Sequence, residues 1–90
     1  MENDVTGRVW ILVTPGEEVL SEKTVKVKYV YWLNPIAVGD GFEMVDLNED
    51  VVLVGRCEVA NGSQVFNLEC LFNGLKLPVL DSGTLYVYLA

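Results

Sequence analysis

The tract Asp40-Gly41-Phe42-Glu43-Met44-Val45-Asp46-Leu47-Asn48-Glu49-Asp50 gathers five carboxylates within eleven residues. Hard oxygen ligands at that density are what calcium binds. Asp46-x-Asn48-x-Asp50 opens like an EF-hand loop, but the position that needs Gly is Val51 and the bidentate Glu position is Cys57. The tract reads instead as a turn between two strands, its Asp and Asn side chains accepting from nearby backbone donors. Glu58 and Glu69 are acids of the right type for glycoside chemistry, which needs two carboxyl groups facing each other across a cleft. They are not directly opposed, and a chain this short offers little cleft. Ser82 lies in an Asp-Ser-Gly turn. The chain has no histidine, so the commonest general base and metal ligand is missing. With no nucleophile elbow and no phosphate loop either, the expectation is a non-enzyme with no catalytic residues, cofactor, metal or small-molecule substrate.

The elements that carry these residues are strands. Apolar runs lie at Gly7–Val13, Lys23–Leu33, Gly41–Leu47, Val51–Val59, Gln64–Phe72, Leu75–Val79 and Thr84–Leu89. They are divided by Thr14-Pro15-Gly16, Asn34-Pro35, Asn48–Asp50, Asn61-Gly62, Asn73-Gly74 and Asp81–Gly83, with an acidic link at Glu17–Glu22. No stretch shows helical spacing with a cap. Short strands separated by turn residues predict an all-β domain spanning residues 1–90, a small antiparallel sandwich or jelly-roll-like barrel of about seven to eight strands without substantial helix.

Asn61-Gly62 supplies the two positive-φ positions of a two-residue hairpin turn. That register pairs Cys57 with Phe66 and Leu53 with Cys70, and makes Val51, Leu53, Cys57, Val59, Phe66, Leu68, Cys70 and Phe72 a core face. At ~3.3 Å per residue the two cysteines then stand roughly 13 Å apart, beyond the ~7 Å Cα separation a disulfide spans. Two free, buried thiols are expected, as in a reducing cytoplasm.

Strict alternation sets Val25, Val27, Tyr29, Tyr31 and Leu33 against Thr24, Lys26, Lys28, Val30 and Trp32. It also sets Val9, Ile11 and Val13 against Arg8, Trp10 and Leu12. The last strand packs inward through Leu85, Val87 and Leu89, leaving Tyr86 and Tyr88 outside. Trp10, Trp32, Tyr86 and Tyr88 therefore form the expected partner interface, a face with apolar bodies and polar tips.

Composition agrees with such a face. Half of the 90 residues are apolar (51%), mean hydropathy is positive, and a domain this small has limited capacity to hide its own apolar surface. A net charge of −7 argues against nucleic acid and against anionic membranes. Lys23, Lys26 and Lys28 read as a solvated edge that discourages aggregation, or as a contact for an acidic patch of a neighbouring copy at Glu17–Glu22 or Asp40–Asp50. Met1 is followed by Glu2-Asn3-Asp4 rather than by a basic and then apolar leader, and no apolar run reaches ~20 residues. Synthesis in a cytoplasm is expected.

From Val25 to Ala90 the chain resembles small β-sandwich virion structural proteins of tailed bacteriophages. The resemblance rests on Ala37-Val38-Gly39-Asp40 after an aromatic-ended strand, on Phe72-Asn73-Gly74-Leu75, and on Leu80-Asp81-Ser82-Gly83-Thr84-Leu85-Tyr86-Val87-Tyr88-Leu89. The hairpin segment departs from that pattern, with Asn48-Glu49-Asp50 lacking its Gly. The resemblance implies a virion location after synthesis in the host cytoplasm. It also implies a capsid-decoration, head-fibre or tail-accessory role, with a homo-oligomer and other virion proteins as partners. A carbohydrate- or host-receptor-binding module with sugar-stacking aromatics is the alternative.

Overall fold

The computed structural model describes residues 3–5 and 7–90, with the backbone alone for residues 17–19 and 21. The domain is all-β. Six strands, β1 (Val9–Leu12), β2 (Gly16–Leu33), β3 (Gly41–Val45), β4 (Val51–Arg56), β5 (Gln64–Leu80) and β6 (Thr84–Leu89), form one antiparallel sheet in the order β1-β6-β2-β5-β3-β4. Among the described residues there is no helix.

Six strands rather than seven or eight result because two expected breaks are continuous strand. The acidic link joins β2, where Gly16, Val19 and Ser21 pair with Leu77, Lys76 and Leu75. Asn73-Gly74 is no turn; Asn73 pairs with Thr24, and Gly74 takes a φ of 80° inside β5. Gly adopts that left-handed backbone without a Cβ penalty, so the strand kinks there and continues.

The length of β5 forces the sheet to curl. A straight 17-residue strand would span roughly 56 Å, while the longest dimension of the molecule is 34 Å. Phe42 pairs with Leu80 at one end of β5, yet its ring meets Phe66 near the other end at 5.4 Å between centroids. The strand turns back on itself through Glu69 (φ 49°), Gly74 and Pro78. The concave side holds the core: Trp10, Leu12, Val27, Val30, Trp32, Leu85 and Val87 from β1, β2 and β6, against Phe42, Met44, Leu75, Leu77 and Leu80 from β3 and β5. Burial of this set is the main term favouring the fold.

The expected hairpin across Asn61-Gly62 does not form. Asn61 has a φ of 60° and the Gly62 amide donates to the Val59 carbonyl at 2.8 Å, so a turn is present. However, β4 pairs with β3, from Gly41↔Arg56 to Val45↔Val51, and β5 leaves to pair with β2 and β3. Residues after Arg56 are diverted because Cys57 exchanges bonds with Asp40 and Gly39, and the Asn61 amide donates to the Pro35 carbonyl at 2.8 Å. The cysteine register drawn from that hairpin falls with it. Both thiols are free, Cys57 buried and Cys70 exposed rather than buried.

Candidate functional site

The face expected to carry Trp10 and Trp32 is the wrong side of the sheet for both. Trp10 is 5% exposed and Trp32 fully buried. The Trp32 indole donates to the Ser82 carbonyl at 2.9 Å and meets Phe42 edge-on at 4.9 Å. For β1 the outward residues are Val9 and Ile11, which pair with Tyr88 and Tyr86. For β2 the reason is a bulge. Val27 pairs with Leu89 and Tyr29 with Tyr88, so β2 carries one extra residue against β6. Val25 and Val27 point inward before the bulge, and Val30 and Trp32 after it, with Lys28 exposed and Tyr29 half-buried between them. A single inserted residue exchanges the two faces of everything beyond it.

Tyr86 and Tyr88 do lie on the outer side, and the bulge brings Tyr29 and Tyr31 beside them. Tyr29 stacks on Tyr88 with centroids 4.2 Å apart, and Tyr31 on Tyr86 at 6.2 Å. The registers extend these pairs into two rows across four strands, Val65–Tyr31–Tyr86–Ile11 and Asn67–Tyr29–Tyr88–Val9. The rows span roughly 14 Å at ~4.8 Å per strand. Val65 is 55% exposed and Ile11 37%. Alternation alone did not reveal Tyr29 and Tyr31. The signal was present, since a strand that is one-sided up to Lys28 and apolar on both sides after it is how a bulged strand reads.

Beside the tyrosines lies an open groove of about 570 Å³ lined by Arg8, Lys26, Lys28, Glu69, Leu89 and Ala90. Three of the six basic residues of this acidic chain converge there. β2 is an interior strand between β6 and β5, so Lys26 and Lys28 are not the protective edge expected of them. No tyrosine lines the groove, and each ring of the Tyr29–Tyr88 pair has one face covered by the other. That arrangement is poorly suited to stacking a sugar between walls. Of the acidic partner segment Glu17–Glu22, the side chains of residues 17–19 and 21 lie outside those described.

Glu58 and Glu69 are both exposed, Glu69 on the open groove, while Asp46, Ser82 and Asp81 are tied into local structure. In the acidic tract, Asp46 Oδ1 accepts from the Asn48 amide at 2.8 Å and the Asp50 amide at 3.0 Å, while Glu49 takes a φ of 64°. It is the expected strand-to-strand turn, and among the described residues no group of three His, Cys, Asp or Glu side chains is placed to hold a metal. Ser82 Oγ donates to Asp40 Oδ2 at 2.6 Å and accepts from the Ile36 amide at 2.8 Å. Asp81 Oδ2 accepts from the Gly41 amide at 2.8 Å. The Ala37–Asp40 and Leu80–Gly83 segments thus form one junction at the ends of β2, β3, β5 and β6. The Ser82–Asp40 bond ties the two segments together.

No family model matches the chain, and no curated protein or solved structure matches it. No helix of the described residues is long and apolar enough to cross a membrane.

Proposed function

We propose that this chain is a non-enzymatic bacteriophage virion structural protein, of decoration or accessory type, that self-associates through its outer tyrosine face. The observation that carries the reading is the double row of stacked tyrosines flanked by Ile11, Val9 and Val65 on the side of the sheet away from the core. Tyr and apolar residues together, without charge at the centre, are the composition of protein interface cores. The virion assignment rests on the resemblance in Ala37–Asp40 and Phe72–Leu89. Support for it lies in the way the Ala37–Asp40 and Leu80–Gly83 segments meet through Ser82–Asp40 and Asp81–Gly41, which makes them fold-defining together. Further copies and other virion proteins are the partners, and the charge of −7 disfavours nucleic acid as another.

The test is the solution mass of the chain and of a Tyr31→Thr/Tyr86→Thr variant, in which β-branched replacements keep strand propensity. The reading requires the parent chain to exceed its 10.0 kDa monomer mass at micromolar concentration and the variant to lose mass while keeping its β circular dichroism spectrum. Equal masses for the two would remove the face from consideration.

A further inference from the structure

Three cations far apart in the sequence meet in the groove beside the tyrosines. Successive amides at the end of β6 reach opposite ways: Leu89 donates to the Arg8 carbonyl at 2.8 Å, and Ala90 to the Lys26 carbonyl at 3.0 Å. Arg8 and Lys26 are thereby held on the two sides of one strand, roughly 10 Å apart at ~4.8 Å per strand spacing. The third cation comes from the bulge. Lys28 has no partner in either register, because Val27 and Tyr29 pair with Leu89 and Tyr88 on β6 and with Cys70 and Asn67 on β5. Leu68 and Glu69 fall in the matching gap of β5, and Glu69 takes a φ of 49°, a left-handed backbone uncommon outside glycine. Bulges at such places re-aim side chains.

Arg8, Lys26 and Lys28 are exposed, and among the described residues none of them forms an ion pair, although Glu69 lines the same groove. Like charges gathered in a concavity raise its potential and draw anions in. Elsewhere the sign reverses: the other basic residues are Lys23, Arg56 and Lys76, against 13 carboxylates in the chain. A long polyanion leaving the groove therefore meets repulsion, whereas a short one does not. The volume of about 570 Å³ is that of a small-molecule site.

We infer that this groove binds a small oxyanion carrying two or more charges. The Arg8 guanidinium offers a planar donor fork that matches carboxylate or phosphate oxygens, and Lys26 and Lys28 add point charges beside it. Glu69 repels the charged end of the ligand, which therefore sits toward Arg8 and the lysines. No tyrosine lines the groove, so the site does not rest on the tyrosine face.

Inorganic pyrophosphate is the probe, titrated at low ionic strength into the isotope-labelled full chain while amide resonances are followed by NMR. Saturable shifts should centre on Arg8, Lys26, Lys28, Leu89 and Ala90, with a Kd on the order of 1 mM or tighter. Lys26→Gln/Lys28→Gln removes two charges and should weaken binding about tenfold or more. Glu69→Gln removes the repelling carboxylate and should tighten binding about two- to threefold. Lys76→Gln lies outside the groove and should bind like the parent. Circular dichroism verifies that each variant is folded. Shifts spread evenly over all six basic residues, or a folded double variant that binds like the parent, overturn the inference, as does a Glu69→Gln chain that binds more weakly. Solution mass with and without pyrophosphate, at constant ionic strength, separates two sources of the anion. A fall in mass assigns it to carboxylates of a neighbouring copy, and a constant mass assigns it to a free solute.

Discussion

Replacing Gly83 by alanine tests whether the junction between the Ala37–Asp40 and Leu80–Gly83 segments holds the fold as described. Gly83 has a φ of 78°, and a Cβ there would lie 2.7 Å from the Leu33 carbonyl oxygen and 2.8 Å from Trp32 Nε1. An alanine in left-handed backbone costs about 1–2 kcal/mol. Displacing the Trp32 indole from its 2.9 Å bond to Ser82 adds about 0.5–1.5 kcal/mol. The loss of glycine's freedom in the unfolded chain returns about 0.4–1 kcal/mol. The net loss is about 0.5–3 kcal/mol, a fall of roughly 2–20 °C in Tm for a domain of this size. Gly39→Ala is the control, because its φ is 97° but nothing lies within 4 Å of the added carbon. Thermal and urea unfolding followed by tryptophan fluorescence should show Gly83→Ala as the more damaging of the two, with a changed indole emission only there. Equal losses for both variants would mean that the Trp32–Ser82–Gly83 packing is not as stated.

Other substitutions separate core from surface. Trp32→Ala removes a fully buried indole and should cost ~3–5 kcal/mol, enough to unfold much of so small a domain in circular dichroism. Ser82→Ala leaves the Ile36 amide and the Asp40 carboxylate without their hydroxyl partner and should cost about 1–3 kcal/mol in urea unfolding. Asp46→Ala releases the Asn48 and Asp50 amides and should lower stability by about 1 kcal/mol.

The sequence disclosed what depends on local chemistry. Turn residues and apolar runs marked the strands, the Asp46 turn was legible from Asp and Asn spacing, and the inward set Leu85 and Val87 followed from simple alternation in a short regular strand. What stayed hidden depends on phase. Against β6, β2 slips between Val27 and Tyr29, and that slip moved Trp32 from the outer face to the core and Tyr29 and Tyr31 from the core to the outer face. In β5, Asn73-Gly74 has turn composition but is held in a strand by its pairing with β2, a long-range contact that overrides local preference. The Asn61-Gly62 turn formed without its hairpin because β5 finds longer pairing on β2 than β4 could offer; β2 and β5 are 18 and 17 residues long, against six for β4. Trp10 was misplaced because Val9 and Ile11 are as apolar as Trp10 and Leu12, so composition gave no preference between the two sides.

The mass of the chain in solution, measured against that of Tyr31→Thr/Tyr86→Thr at equal micromolar concentration, bears most directly on the assembly role. A parent heavier than one chain, and a folded variant that has shed mass, is the predicted result. A parent found as a single chain throughout the concentration range, with the variant indistinguishable from it, would contradict the account.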